Sequence, residues 1–366
     1  MNIQRPQDFI VEEITPEGLI LEVGKEWKFN PGTGKHLICI LEKINWDTNR
    51  AIKAIARRLH VSRKRIGFAG TKDKWAWTTQ RISIWGIKPE DVDRIKLKDL
   101  WVKPITFSEE RIKLGDLWGN RFTIKLKDVK APSTLNEVPN FFGIQRFGEK
   151  RPVTHLVGKA IVNGNLENAV KTYLAWPGPG EREETRIARE KLAEDWDWKK
   201  ALSYFPKHLS YELTLLQHLA KHPNDYANAL RRLPRNLLKM FVHAYQSLLF
   251  NRYLQKRMKT IGLGKAEGDI IIDGKVTGPL FGYSMELARG EPGRLEREIM
   301  SEEGIRLEDF KVKSLPEASS KGSRRAIVAR VYDFEVDGST IKFKLERGSY
   351  ATTVLDYLFG NEPFLG

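Results

Sequence analysis

The sequence predicts an α+β protein, and two observations carry that expectation. Strand-like runs gather towards both ends of the chain, at residues 37–43, 78–85, 121–129 and 330–345. These runs are β-rich or alternate apolar with polar residues. Between them, from residue 166 to about residue 257, the apolar spacing is mostly helical.

Taken in order, the first strand, residues 37–43, overlaps the apolar stretch His36-Leu-Ile-Cys-Ile-Leu41. Asp47-Thr48-Asn49 then supplies a helix start, and Ile52, Ile55, Ala56 and Leu59 recur at helical spacing. A basic run follows, with Arg57, Arg58, Arg63, Lys64 and Arg65. Glycines punctuate Gly67-Phe-Ala-Gly-Thr-Lys-Asp-Lys74 before the next strand at 78–85. Around residue 152 the pattern turns helical, broken by Trp176-Pro-Gly-Pro-Gly180. Residues 239–258 read as a strong amphipathic helix. From Gly268 the chain is strand- and turn-rich, and residues 317–325 read as a loop or linker. Asp337-Gly338 is a hairpin signal between two strands. Periodicity does not decide whether the last 40 or so residues return to the first section.

At 366 residues the chain can form one large domain or two ordinary ones. Lys and Arg number 62 against 47 acids, a net charge of +15. Such an excess favours a polyanionic partner, nucleic acid foremost, without distinguishing DNA from RNA. No apolar run is long enough to span a bilayer, and residues 1–9 lack the apolar core of a signal peptide, so a cytoplasmic location is expected. The single cysteine, Cys39, excludes an intrachain disulfide and reads as a small core residue of its strand.

Several chemistries can be set aside. Gly32-Thr-Gly-Lys35 superficially resembles the end of a phosphate-binding loop, but His36 stands where Ser or Thr is needed and Phe29 where the first glycine is needed. His218 and His222 lie four apart, yet no acid occupies the metalloprotease position and no cysteine is near, so they read as surface or packing residues. No Gly-x-Ser-x-Gly occurs. What remains is Gly70-Thr-Lys-Asp-Lys74. Cations on both sides favour an ionised carboxylate at Asp73, able to act as nucleophile or base. On local chemistry alone, a turn residue between solvated lysines fits as well. Asn140-Phe-Phe-Gly-Ile-Gln-Arg-Phe-Gly148 combines aromatics, amides, an arginine and glycines. Such a loop can stack a base and contact phosphates, or simply form a packed turn.

Taken together, these segments resemble the TruD family of pseudouridine synthases. Residues 67–74 with Thr78-Thr-Gln80 are similar to its catalytic motif. Residues 140–148 are similar to its signature Asn-Tyr-Phe-Gly-x-Gln-Arg-Phe-Gly, with Phe141 in place of the tyrosine. Pro6-Gln-Asp-Phe-Ile-Val-Glu-Glu13, Leu114-Gly-Asp-Leu-Trp-Gly-Asn120, Gln246-Ser-Leu-Leu-Phe-Asn251 and Gly348-Ser-Tyr-Ala-Thr352 match further blocks, in the expected order. One position departs: Ile3 stands where the family commonly has a lysine, and Arg5 is the nearest cation.

The resemblance implies a split pseudouridine-synthase domain, mainly an antiparallel sheet flanked by helices, over residues 1–154 and 326–366. An α/β TRUD domain would be inserted at 155–325, giving a V-shaped molecule with a positive cleft. It also implies isomerisation of a tRNA uridine, typically uridine 13 of the D arm, by a monomer with no cofactor, metal, membrane or obligate protein partner. Asp73 would be the catalytic carboxylate. Phe142 would stack on the target base, Asn140 would help hold the site, Phe9 would be a further site aromatic, and Lys72 and Lys74 would give electrostatic support. Two rivals differ in class. A non-catalytic RNA-binding protein would leave uridine unchanged, and a metal-dependent nuclease would need clustered carboxylates.

Overall fold

The computed structural model describes residues 5–126 and 132–366. Its strands are β1 (Phe9–Ile14), β2 (His36–Ile44), β3 (Ile66–Phe68), β4 (Trp77–Trp85), β5 (Leu100–Ser108), β6 (Gly119–Lys125), β7 (Glu137–Pro139), β8 (Ile271–Ile272), β9 (Lys275–Leu280), β10 (Ser323–Ala326), β11 (Val328–Asp337) and β12 (Thr340–Glu346). The helices are α1 (Thr48–Arg58), α2 (Thr154–Val162), α3 (Leu166–Ala175), α4 (Glu183–Asp195), α5 (Trp198–Tyr204), α6 (Ser210–Leu219), α7 (Tyr226–Arg231), α8 (Arg235–Thr260), α9 (Gly290–Glu303) and α10 (Ala351–Leu358). The four expected strands correspond to β2, β4, β6 and the β11–β12 hairpin. The last part of the expected strand at 121–129 lies outside the described residues.

The chain divides into two compact units. In its described residues, one spans Met1–Val138 with Ala329–Ala351; the other spans Pro139–Val328 with Thr352–Gly366. Residues 139–154, 326–328 and 352–366, which the expected domain bounds group with the sheet, fall in the second compact unit. In the structure residues 139–154 and 352–366 pack on each other and on α8. Phe147 stacks on Phe364 at 4.4 Å, and Thr353 Oγ1 donates to the Phe141 carbonyl at 2.9 Å. Asn251 Nδ2 donates to the carbonyls of both Phe142 and Phe364.

The first unit is built on a sheet that is nine-stranded among the described residues, in the order β5-β2-β4-β1-β6-β12-β11-β7, with β3 against β4. β1 and β4 pair in parallel, whereas β1·β6, β6·β12, β12·β11, β4·β2, β2·β5 and β3·β4 are antiparallel. Helix α1 starts where the sequence says, because the Asp47 carboxylate caps it, accepting from Arg50 N at 2.9 Å. It buries Ala51, Ile52, Ile55 and Ala56 against Leu37, Cys39 and Leu41 of β2 and Ile82 and Ile84 of β4. Each large apolar side chain so buried contributes roughly 1.5–3 kcal/mol. Cys39 is wholly buried in this core, which pushes its thiol pKa up, so it is an inert core residue.

The second unit centres on α8. The sequence reads this helix as amphipathic, but every residue from Ala244 to Asn251 is buried, so neighbours cover it all round. Helix α2 crosses it closely: a Cβ on Gly158 would collide with the Phe241 carbonyl. Strand β9 approaches from elsewhere, where a Cβ on Gly278 would stand 2.8 Å from the Tyr253 ring. β9 lies between β8 and β10 in an antiparallel three-stranded sheet. Residues 323–325 are therefore strand rather than linker. The stretch after Gly268 also contains a whole helix, α9, which its glycines and Pro292 conceal. No helix among the described residues is long and apolar enough to cross a membrane.

Candidate active site

The loop joining β3 to β4 carries Lys72, Asp73 and Lys74, and buried groups of the first unit hold its backbone at successive points. Gln80 Nε2 of β4 donates to the Gly70 carbonyl at 2.9 Å. Thr48 Oγ1, at the first residue of α1, accepts from Lys72 N at 3.0 Å and lies 3.2 Å from Gln80 Oε1. Lys43 Nζ of β2 donates to the Asp73 carbonyl at 3.0 Å. Three elements hold three residues of the loop, Gly70, Lys72 and Asp73, which fixes where Asp73 projects from the backbone.

The charges around that loop are buried and opposed. Lys72 Nζ pairs with Glu13 of β1 at 2.9 Å, with both side chains almost wholly buried. Glu13 in turn accepts from Arg81 N at 3.1 Å. Lys43 is fully buried, and desolvation pushes its pKa down to about 8. The charges of Asp73 and Asp47 resist that fall, and that of Lys72 reinforces it. Asp73 is half-buried and Lys74 exposed. Phe9 opens β1, buried, with its ring stacked on Phe122 at 6.3 Å; Phe122 stacks on Phe343 of β12 at 5.3 Å.

Asn140 and Phe142 lie in the second unit. Asn140 Nδ2 donates to the Ala326 carbonyl at 2.8 Å, and its Oδ1 accepts from Arg325 at 2.6 Å. The Arg325 guanidinium lies 4.1 Å from the centre of the Phe142 ring, and Arg146 approaches the same ring at 5.6 Å. Phe250 of α8 meets Phe142 edge-on at 5.6 Å. Asn251 grips the Phe142 backbone at both ends, accepting from its N–H at 2.8 Å and donating to its carbonyl at 2.9 Å. Positive charge over an aromatic face is attractive. The pair Phe142 and Arg325 thus forms a rigid stack of aromatic ring and cation.

The structure therefore places Phe9, Lys72, Asp73 and Lys74 in one unit and Asn140 and Phe142 in the other. Ile3 lies outside the described residues. Sequence reasoning missed Lys43, Thr48, Glu13 and Arg325. A signal for Lys43 existed: Glu42 and Lys43 end a strand that is otherwise an unbroken apolar run, where charges need partners. Arg325 was hidden by the reading of 317–325 as a linker. Among the described residues no group of three or more His, Cys, Asp or Glu is placed to hold a metal ion. His218 Nε2 is 3.0 Å from Asp225 Oδ2, the residue that caps α7, which ties this histidine to local structure.

The same fold is seen in the crystal structure of a protein from Methanosarcina mazei described as tRNA pseudouridine synthase D (TruD). The match has a TM-score of 0.75 and 37% identity, and covers 98% of this chain and 92% of that one. Mixed α and β elements around a large, mainly antiparallel sheet thus define a pseudouridine synthase scaffold. The family model of tRNA pseudouridine synthase D (TruD) matches residues 3–276 and 273–357. A protein of Methanopyrus kandleri described as a probable tRNA pseudouridine synthase D is 46% identical over 349 residues, covering 90% of this chain and 87% of that protein. One of Methanococcus vannielii with the same description is 42% identical over 372 residues, covering 97% and 94%. The chain belongs to the TruD family of tRNA pseudouridine synthases, enzymes of the isomerase class.

Proposed function

We propose that this chain converts one specific uridine of tRNA, uridine 13 of the D arm, to pseudouridine, with Asp73 as the catalytic carboxylate. The observation that supports it best is the loop of Asp73. Its backbone is held from β2, α1 and β4 by Lys43, Thr48 and Gln80, the rigid support that a reacting group requires. In the reaction the bond from C1′ to N1 breaks, the base turns, and C5 bonds to C1′. The C5 proton is lost and N1 gains one, so the product is an isomer and nothing is oxidised or reduced. Asp73 acts on the substrate either as a nucleophile or as the base that takes the 2′ proton.

Phe142 stacks on the flipped base, and unstacking that base from the RNA costs a few kcal/mol that such contacts offset. Asn140 holds the loop that presents Phe142. Phe9 packs beside the reacting nucleotide, and Lys74 supplies positive charge to the RNA. Lys72 acts from behind, since its ammonium is paired with Glu13, and supports the potential around Asp73. Residues 1–154 with 326–366 form the catalytic domain and 155–325 the inserted one. The enzyme works as a monomer in the cytoplasm.

The test is Asp73→Asn assayed on tRNA, with pseudouridine detected by carbodiimide labelling and reverse-transcription stops. Loss of isomerisation with retained tRNA binding is expected. A folded variant that still isomerises uridine would remove Asp73 from this role. Mapping the labelled position in wild-type reactions tests uridine 13 independently.

A further inference from the structure

Between Thr48 and Arg65 the chain carries no acidic residue but seven cations: Arg50, Lys53, Arg57, Arg58, Arg63, Lys64 and Arg65. The first four lie on α1, and the last three form the 3-10 turn Arg63–Arg65. All but Arg65 are exposed, and among the described residues none of the seven forms an ion pair. Residues 50, 53 and 57 fall on the face of α1 opposite its buried Ala51, Ile52, Ile55 and Ala56, and Arg58 lies on the flank beside Ala51. The acid that directly precedes the row in sequence, Asp47, is engaged in capping the helix.

Helix stability does not explain this row. Arg57 and Arg58 suit the negative end of the helix, but Arg50 lies in the first turn, where a cation opposes the macrodipole. Lys53 has like charges three residues before it and four after it, both unfavourable spacings. Aromatic faces lie among the cations: Arg50 sits over Trp46 at 5.3 Å, and Arg65 over the half-exposed Trp85 at 4.7 Å. The row also begins at the candidate active site, because Thr48, at its head, holds the backbone of Lys72.

We propose that the exposed face of α1 and the turn Arg63–Arg65 is a docking surface for the phosphodiester backbone of the substrate RNA, leading away from the nucleotide at Asp73. This rests on the reading of the chain as a tRNA-modifying enzyme. The surface is electrostatic and reads shape rather than sequence, as expected for contacts to phosphate.

The test is the variant carrying Arg50→Gln, Lys53→Gln and Arg57→Gln, with folding checked by circular dichroism. Dissociation constants for unmodified tRNA are measured across a salt series, alongside steady-state kinetics. The variant is expected to weaken binding at least about tenfold near physiological salt, and to flatten the slope of log affinity against log salt by about two to three. KM should rise in parallel while kcat at saturating tRNA stays within about twofold of wild type. Unchanged affinity and salt slope in the folded variant would overturn the proposal. So would an equal loss in the charge-matched control carrying Lys199→Gln, Lys207→Gln and Lys221→Gln, which would make the effect one of net charge alone. Because affinity is read without turnover, this outcome is independent of Asp73→Asn, whose retained activity would sink only the catalytic assignment.

Discussion

Lys43 shows how one residue ties the loop of Asp73 to the stability of the sheet. Its side chain is fully buried, and burial lowers its pKa from the ordinary lysine value to about 8. The unfolded chain therefore binds more protons than the folded one between pH 8 and about 10.5, so Lys43 makes stability rise with pH across that window. Below pH 8 its full desolvation cost is present. We expect the unfolding free energy of wild type, measured in urea and referred to Lys43→Met, to rise by up to roughly 3 kcal/mol from pH 7.5 to 10.5. The reference variant also loses the bond to the Asp73 carbonyl, but a neutral amine still donates to a carbonyl, so that loss mainly offsets the two curves and leaves the slope in place. Parallel curves would show that Lys43 is not the desolvated cation described. Asp73 and its flanking lysines were legible from the sequence, but the pairing of Lys72 with Glu13 was not. An ion pair between residues 59 apart depends on β1 and β4 lying side by side, and alternation does not say which strands are neighbours.

At the level of elements, α1 is the clearest case of a helix read correctly and understood only in part. Its cap and apolar face are plain in the sequence. That its cations form no ion pair among the described residues is visible only in the surrounding surface. Lys53→Glu converts two like-charge spacings into favourable ones, and its new charge pairs well with Arg57 four residues on. The substitution is expected to raise stability by about 0.5–1 kcal/mol, read as a higher midpoint in denaturant, while weakening tRNA binding several-fold. A variant that gains stability and binds tRNA undiminished would place the RNA elsewhere. Other elements were less legible for identifiable reasons. Helix α9 begins Gly290-Glu-Pro-Gly293, which reads as a turn, although proline is tolerated in a first helical turn where its missing N–H bonds nothing. A Cβ on Gly293 would collide with the Ala288 carbonyl, so that glycine serves close packing. The amphipathic reading of α8 failed because Gln246, Ser247 and Asn251 look solvent-facing. In the fold they are buried and hydrogen-bonded: Asn251 to the Phe142 backbone, Gln246 to the Phe281 carbonyl, and Ser247 as acceptor from Arg146 at 3.0 Å.

At the scale of the whole molecule, both compact units are discontinuous in sequence, and the last 40 residues serve both. β12 adds to β6 with Phe343 opposite Phe122, completing the aromatic row that starts at Phe9. Residues 352–366 then return to the second unit. Hydrophobic alternation gave the hairpin but not its destination, because the pattern of a strand specifies which face is buried and not the edge it joins. The resemblance to known sequence blocks supplied the return of the hairpin, whereas only the packing shows where residues 352–366 go. Phe364 lies on Phe147, itself fully buried in the loop that presents Phe142, and also meets His155 edge-on at 5.3 Å. Its carbonyl accepts from Asn251, the residue that holds the Phe142 backbone, and the Leu365 carbonyl accepts from Arg252 Nε at 2.8 Å. Removing residues 361–366 would expose Phe147 and loosen Asn251 while leaving the sheet untouched. The loss of an aromatic stack and two hydrogen bonds should cost about 2–4 kcal/mol. In calorimetry this appears as an early transition from the second unit, ahead of unfolding of the sheet. Activity should fall with it, because Phe142 is held by the same asparagine. Phe364→Ala should reproduce most of the shift. A truncated chain that melts in one transition at the wild-type temperature would show that the tail does not brace this loop.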